Sequence, residues 1–273
     1  MIQAQSYSQT QIQAHPQSAP LLATHDITKS FGTVRALAGV SIGIGAGDSV
    51  AIMGPSGSGK STLLHCLSGV LVPEQGTVDF DGHPLSRLSD KKRSHLRLSQ
   101  FGFVFQDGQL LPELPARENV ALPLMLTGTS RGQALKAADD MIGRIGLADL
   151  RDRRPGDMSG GQAQRIAIAR AMVGRPRVVF ADEPSGALDQ ASGHEVMQLL
   201  TTTCQISGTS LVVVTHDINV ARWCSRLIEI RDGLVHADRR MQMPESQGSG
   251  TNGFKPTGAT DAAGAAVAEG SNR

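Results

Sequence analysis

The sequence predicts an α/β fold built around a parallel sheet, and three patterns support that prediction. Residues 178–181 and 211–214 are continuous apolar runs, which are typical of central strands covered on both faces. Residues 49–53 form a third short strand, which leads through a glycine-rich segment into the helical spacing of residues 62–68. Parallel strands of this kind end at one common edge of the sheet, where ligands of α/β proteins bind.

An antiparallel β region is predicted beside this sheet. Apolar residues alternate with small ones over residues 40–44, and a strand at 77–80 is followed by the turn dipeptide Asp81-Gly82. Residues 227–236 also contain a central turn and predict a closing hairpin.

Helices are predicted in the middle of the chain. Residues 91–98 form a charged helical stretch, and residues 130–145 carry apolar side chains at helical spacing. We therefore expect a helical insertion over about residues 86–174, between two halves of the α/β sheet.

Composition bounds the organisation and the function. The 273 residues carry a net charge of +1 and 3% aromatic residues, which argues against a nucleic-acid-binding protein. No apolar run approaches the roughly 18 residues that span a bilayer. Residues 1–20, rich in Gln and Ser, and residues 241–273, rich in Gly, Ala and Ser, are predicted to be disordered tails, which leaves residues 21–240 as the folded domain.

The glycine-rich segment fits a phosphate-binding loop at every fixed position of that pattern. It reads Gly54-Pro55-Ser56-Gly57-Ser58-Gly59-Lys60-Ser61, with Thr62 following in the helix. The glycines let the backbone curl around an anion, and the helix N-terminus adds N–H groups and positive potential. We expect Lys60 to reach the β- and γ-phosphates and Ser61 to ligate Mg²⁺. A glycine-rich turn that binds nothing is the alternative, which the flanking strand and helix disfavour.

Two acidic residues follow one of the buried strands. Asp182 and Glu183 come directly after residues 178–181, so the strand places them at the same sheet edge as the loop. We expect Asp182 to hold Mg²⁺, directly or through water, and Glu183 to orient or deprotonate an attacking water. A solvated turn is the alternative for an acidic pair, and the upstream loop favours the functional interpretation.

A second anion-binding helix start is predicted at Ser159-Gly160-Gly161-Gln162, ahead of a helix over residues 163–173. Ser159 is a suitable N-cap, and the two glycines leave backbone N–H groups uncovered. One phosphate cannot occupy two distant helix starts on one chain. We therefore predict a symmetric dimer in which each nucleotide lies between the phosphate loop of one chain and the Ser159 region of the other.

Together these motifs resemble an ATP-binding cassette (ABC) ATPase over residues 21–240. Residues 158–162 are similar to the family's signature motif, and residues 178–183 are similar to its second nucleotide motif. Further similarities, in the family's order, are the adenine-stacking aromatic Phe31, the Q-loop Phe103-Val104-Phe105-Gln106, the D-loop Ser185-Gly186-Ala187-Leu188-Asp189 and the switch-histidine motif Thr215-His216-Asp217.

The resemblance implies a P-loop NTPase fold of the ABC type, with an antiparallel β subdomain and a helical insertion. It implies that ATP and Mg²⁺ bind, that ATP is hydrolysed to ADP and phosphate, and that two copies form a homodimer around the nucleotide. The catalytic residues it implies are Lys60, Gln106, Glu183 and His216, and the metal ligands are Ser61, Gln106 and Asp182. The nucleotide contacts it implies are Phe31, Gly54, Pro55, Ser56, Gly57, Ser58, Gly59, Lys60, Ser61, Thr62, Ser159, Gly160, Gly161, Gln162 and Asp189.

The segment from Gln106 to Leu124 is rich in Leu and Pro, which predicts a docking face for a partner. The alternative is that Leu114, Val120 and Leu122 pack inside the insertion. The segment is similar to the subgroup of lipoprotein-releasing and macrolide-exporting ATPases, which implies an integral membrane permease as partner. It also implies export or mechanotransmission at the cytoplasmic face of the membrane. The alternative function is a soluble or regulatory ABC ATPase without a transported substrate.

Overall fold

The computed structural model describes residues 19–241. The predicted disordered tails, 1–20 and 241–273, lie outside the described residues except for positions 19, 20 and 241. The described strands are β1 (Leu22–Phe31), β2 (Val34–Ile44), β3 (Ser49–Met53), β4 (Gln75–Phe80), β5 (His83–Pro84), β6 (Phe101–Phe105), β7 (Val178–Asp182), β8 (Ser210–Thr215), β9 (Arg226–Arg231) and β10 (Leu234–Arg240). The helices are α1 (Lys60–Leu67), α2 (Asp90–Gln100), α3 (Ala116–Leu126), α4 (Arg131–Arg144), α5 (Gly160–Met172), α6 (Gln190–Ser207) and α7 (Ile218–Ala221).

The larger sheet has six strands in the order β10-β9-β3-β8-β7-β6. Strands β6, β7, β8, β3 and β9 run parallel, and β10 closes the sheet as the antiparallel arm of a hairpin. The parallel sheet and the closing hairpin are therefore confirmed. Because β3 and β7 both neighbour β8, the phosphate-loop strand and the strand that ends in Asp182 are separated by one strand.

The smaller sheet is antiparallel and has the order β2-β1-β4-β5. The strand-turn pattern at 77–82 forms the β4–β5 hairpin, in which Phe80 pairs with His83. The predicted antiparallel β subdomain is confirmed. Its apolar side chains share one core with the larger sheet, so this region folds as a layer on that sheet.

The two faces of the six-stranded sheet carry different helices. Val50 and Ile52 on one face pack in the cluster that includes Leu63 of α1 and the antiparallel sheet. Ala51, between them, packs on the other face in the cluster that includes Ile168 of α5. Since successive side chains of a strand point to opposite faces, α1 and α5 lie on opposite sides of the sheet.

The predicted helical insertion differs from the structure in one respect, because residues 86–174 also contain β6. This strand pairs with β7 and so belongs to the six-stranded sheet. A Cβ at Gly102 would stand 2.5 Å from the carbonyl oxygen of Ala171, so glycine allows β6 to approach α5 closely. The helices α3, α4 and α5 share a separate apolar cluster, which is the helical layer of the segment.

Within residues 19–241, no helix is long and apolar enough to cross a membrane.

Candidate active site

The phosphate loop connects β3 to α1 through residues 54–59. Gly59 is the N-cap of α1 with φ 101°, and it makes no side-chain cap bond. A Cβ at Gly59 would collide with the carbonyl oxygen of Ala36, and one at Gly54 would collide with that of Ile230. Both glycines are therefore required for the path of the loop, and the first turn of α1, which no side chain caps, is suited to bind an anion.

Two side chains of this loop are buried and polar. Lys60 is 9% exposed, and its Nζ donates to the carbonyl oxygen of Pro55 over 2.9 Å. Ser58 is 4% exposed, and among the described residues its hydroxyl has no hydrogen-bond partner. A buried hydroxyl without a partner costs free energy, which a ligand oxygen in the loop would offset.

Asp182 and Ser61 meet beside the loop, which brings together two predicted metal ligands. Burial raises the pKa of the Asp182 carboxyl above its usual value. A hydrogen bond with Ser61 and the nearby cationic groups of His65 and Lys60 oppose that rise in pKa. A carboxylate and a hydroxyl are hard oxygen ligands, so the donor set fits Mg²⁺.

Glu183 is fixed by both its backbone and its carboxylate. Its φ of 48° lies in the left-handed region, and its N–H donates to the carbonyl oxygen of Val214 over 2.9 Å. Its Oε2 accepts from the Thr215 hydroxyl at 3.3 Å, and its Oε1 lies 2.7 Å from Nδ1 of His216. Such a conformation costs free energy in a non-glycine residue and is common at functional sites. The structure therefore joins the predicted catalytic residues Glu183 and His216 directly.

Gln106 follows β6 and its side chain is exposed. A Cβ at Gly186 would lie 3.0 Å from Nε2 of Gln106, so the Gln106 side chain lies against the D-loop segment. Among the hydrogen bonds of residues 19–241, none joins Gln106 to Ser61 or Asp182. The predicted metal role of Gln106 therefore remains a prediction.

The signature residues lie at the start of α5, on the opposite side of the sheet from α1. The Ser159 hydroxyl accepts from the Gln162 N–H at 3.2 Å, and Gln162 Oε1 accepts from the Ser159 N–H at 3.0 Å. This capping box confirms Ser159 as the N-cap. Asp189 similarly caps α6, because its Oδ1 accepts from the N–H groups of Ala191 and Ser192 at 3.0 Å each. These bonds lower the pKa of Asp189.

Phe31 ends β1 with its side chain 51% exposed. The Nζ atom of Lys29 lies 5.8 Å from the centre of its ring. An exposed aromatic face is compatible with the predicted stacking on adenine.

Two buried polar residues were missed in the sequence. Gln164 is 2% exposed and bonds the backbone beside both Gln106 and Glu183. Asn119 is fully buried and bonds the backbone of Leu111 and Leu114. Gln164 is four residues before the apolar Ile168 and so lies on the same face of the helix. That spacing is the sequence signal that could have predicted a buried Gln164.

The predicted docking segment is only partly exposed. Leu111 is 41% exposed, whereas Val120 and Ala121 are fully buried in the helical cluster. Leu114 and Leu122 are half-buried. Val120 therefore packs inside the insertion, as the alternative prediction stated. The exposed part of the segment is confined to its first residues.

A glycine-rich loop between a parallel strand and a helix, with acidic residues one strand away, defines the chain as a P-loop nucleoside triphosphatase. A family model described as ABC transporter matches residues 37–186. The chain belongs to the ABC transporter family and is an ATPase cassette of that family.

Individual relatives agree with this family. The macrolide export ATP-binding/permease protein MacB of Nitrosomonas europaea is 42% identical over 224 residues, covering 80% of this chain. The chain spans 34% of the length of that relative.

Solved structures agree as well. The ATP-binding cassette MJ0796, solved as a dimer in a post-hydrolysis state with ADP and Pi, is 38% identical with a TM-score of 0.74. That match covers 81% of this chain and 99% of MJ0796. The protein cbiO1 of Clostridium perfringens, described as part of the ABC transporter complex cbiONQ, is 30% identical with a TM-score of 0.74, covering 82% of this chain and 89% of cbiO1. These relatives do not support the alternative function, a soluble or regulatory ABC ATPase without a transported substrate.

Proposed function

We propose that the chain hydrolyses ATP to drive a separate membrane permease. One observation carries the hydrolytic part of the proposal. Glu183, held by Thr215 and His216, stands at the sheet edge that carries the phosphate loop and Asp182. A carboxylate in that place is suited to orient and deprotonate a water that attacks the γ-phosphate.

Each site residue has a distinct task in this proposal. Lys60 and the loop N–H groups bind the phosphates, and Phe31 stacks on adenine. Ser61, Asp182 and Gln106 would hold Mg²⁺, which would neutralise charge on the phosphate oxygens. Glu183 accepts a proton from water, and His216 leaves its partner Glu183 to contact the γ-phosphate in the closed state.

A homodimer completes the site. We infer that Ser159, Gly160, Gly161 and Gln162 of one copy bind the nucleotide held by the loop of the other copy. The position of α5 on the sheet face opposite α1 supports this inference, since each chain presents two anion-binding helix starts that do not converge. The dimeric state of MJ0796 supports it as well. The D-loop, which ends at Asp189, then contacts the partner copy.

A groove beside the Q-loop is the proposed permease site. It has a volume of about 480 Å³, its floor is formed by the aromatic rings of β6, and Pro123 of α3 lines one side. Arg97 and Arg170 add positive charge to its walls. Gln109 and Pro123 of the proposed docking region, Gln106 to Leu124, line this groove, and an apolar groove fits a short amphipathic segment of a membrane protein. The combined ATP-binding and permease name of the MacB relative supports this pairing. With a permease as partner, the proposed location of the chain is the cytoplasmic face of a membrane.

The hydrolytic role is tested by Glu183→Gln. Phosphate release should fall by roughly 10²–10⁴-fold, because the general base is lost, while ATP binding measured by calorimetry is retained. With ATP the variant should elute as a dimer. Glu195→Gln, a change of an exposed carboxylate on α6, is the matched control and should keep the wild-type rate. An unchanged rate in Glu183→Gln contradicts the role of Glu183.

The permease role is tested by purification from membranes, with Glu183→Gln and ATP to hold the closed dimer. An integral membrane protein should co-purify with the chain. Ser94→Trp, which fills the groove from α2, should abolish that co-purification, whereas Thr202→Trp on the exposed surface of α6 should not. Recovery of the dimer alone, or of ribosomes, contradicts a permease partner.

A further inference from the structure

Helix α5 holds the Q-loop by three side-chain hydrogen bonds. Gln164 Nε2 donates to the carbonyl oxygen of Phe105 over 2.7 Å. Arg170 donates through Nη2 to the carbonyl oxygen of Gly108 and through Nη1 to that of Gln109, each over 2.7 Å. We call Gln164 and Arg170 the α5 clamp. The clamp fixes both ends of the turn that contains Gln106.

Gln164 also reaches the second catalytic segment. The same Nε2 atom donates to the carbonyl oxygen of Pro184 over 2.8 Å, directly after Glu183. The Gln164 side chain is 2% exposed, so water does not compete for these bonds. Because a buried amide loses free energy when it is unpaired, both carbonyls are held at fixed positions relative to α5.

Arg170 connects the clamp to the proposed permease groove. Its side chain lines that groove, together with Gln109, whose carbonyl oxygen it binds. Its planar guanidinium spans two neighbouring carbonyls, which a single ammonium group cannot do. A segment that enters the groove therefore meets a residue that is bonded to the Q-loop.

We propose that Gln164 is a positioning residue for ATP hydrolysis, and that it holds the Gln106 and Glu183 segments in register with α5. Arg170 extends this connection to the groove. The inference rests on the proposed function, because it assumes that Gln106 and Glu183 act on ATP. Since Ser159 is the N-cap of α5, a shift of this signature helix moves both catalytic segments together.

The test replaces the amide without changing the size of the side chain. Gln164→Met keeps the length and apolar volume but donates no hydrogen bond. Its kcat for ATP hydrolysis should fall by roughly tenfold to a hundredfold, the effect of a misplacement of about 1 Å, while the Kd for ATP is unchanged. Met172→Leu, a similar apolar change on the same helix, is the control and should keep the wild-type kcat.

A double-mutant cycle separates positioning from a general loss of stability. If Gln164 acts through the Q-loop, Gln164→Met should lower kcat less in a Gln106→Ala background than in the wild type. We expect the two fold-decreases in kcat to differ by more than about twofold. Equal effects in both backgrounds overturn the inference. Arg170→Lys keeps the charge but loses the guanidinium group that binds two carbonyl oxygens, so it should also lower kcat while the Kd for ATP is unchanged. This variant tests the α5 clamp if Gln164→Met does not fold.

The outcomes distinguish this inference from the proposed function. If the wild type hydrolyses ATP and both clamp variants keep its kcat, the clamp is structural and the inference is wrong, while the proposed function stands. If the wild type, with ATP and Mg²⁺, releases no phosphate, the proposed function fails and the inference fails with it.

Discussion

The helices α1 and α5 both begin with glycines, yet their first turns are built differently. Gly59 caps α1 without a side-chain bond, so the first N–H groups of α1 are left for a ligand. At α5, Ser159 and Gln162 satisfy each other's backbone N–H groups in a capping box. A helix that is capped in advance keeps its first turn ordered without a ligand.

Different residues also surround the N-termini of α1 and α5. The start of α1 lies beside Asp182, with Glu183 and His216 following the ends of β7 and β8. The start of α5 lies beside the D-loop, since a Cβ at Gly160 would stand 3.2 Å from Leu188 and one at Gly161 would stand 3.3 Å from Ser192. In the proposed function the first region carries the chemistry and the second an anion contact, so a second copy is needed to unite them.

The largest expected effect comes from removing the charge at the α1 region. Lys60→Ala should weaken ATP binding by roughly 10- to 100-fold, because a buried charged donor to the phosphates is lost. Calorimetry measures the Kd for ATP of the variant and of the wild type. The control Lys136→Ala, which removes an exposed lysine of α4 in the other layer, should bind ATP as the wild type does. Retained affinity in Lys60→Ala would refute the phosphate-loop assignment.

The second largest effect is expected on the stability of the protein, from a change in the helical layer. Asn119→Ala leaves the N–H of Leu111 and the carbonyl oxygen of Leu114 without their bonds to the buried Asn119 amide. It should lower the free energy of unfolding by about 1–3 kcal/mol. Thermal unfolding measures the loss, which should leave the Kd for ATP unchanged because α1 lies on the other face. Asn119→Asp keeps the acceptor for Leu111 but sets a carboxylate oxygen against the carbonyl oxygens to which the amide donated, so it should be at least as destabilising as Asn119→Ala at neutral pH. A Kd for ATP that changes with stability would show that the two regions are not independent.

A smaller effect is expected at the start of α5. Ser159→Ala removes the N-cap and should cost about 1 kcal/mol of stability, which Ser159→Asn restores because Asn also caps helices. Both variants should bind ATP as monomers but dimerise more weakly, since neither keeps the hydroxyl that we propose contacts the partner's nucleotide. Size-exclusion chromatography with ATP in the Glu183→Gln background measures the dimer. A dimer as stable as that of the parent would argue against the two-chain site.

The smallest effect concerns the contact between the two sheets. Arg177 binds the Asp81 carboxylate at 2.7 and 3.0 Å, and this hydrogen bond lowers the pKa of Asp81. A carboxyl with a lowered pKa in the folded state stabilises the protein above its unfolded pKa of about 3.9, and that contribution is lost as the pH falls through the lowered value. Asp81→Asn should therefore be slightly less stable than the wild type at pH 7.

Urea unfolding of Asp81→Asn and the wild type across pH checks the sign. The difference between them should be constant from neutral pH down to about pH 4 and should shrink below it. Asn tolerates the left-handed backbone of this position, where φ is 54°, so strain does not contribute to the difference. A difference that grows as the pH falls would contradict the ion pair as its cause.

The sequence by itself determined the parallel strands, the phosphate loop and the acidic pair after β7. These features depend on local patterns, namely continuous apolar runs, glycines at fixed spacing and a carboxylate at a strand end, which few other structures satisfy. The capping role of Ser159 was determined in the same way, because an N-cap is set by residues within one turn of the helix.

Only the tertiary structure decided how the middle of the chain is divided. The sequence predicted a helical insertion over 86–174, but β6 lies within that range and joins the sheet, where it pairs with β7 and where Gly102 allows a close approach to α5. The clamp residue Gln164 and the loop support Asn119 were likewise decided by long-range contacts. Their partners lie on other segments of the chain or across a loop, and no local pattern specifies which carbonyl a buried amide will meet.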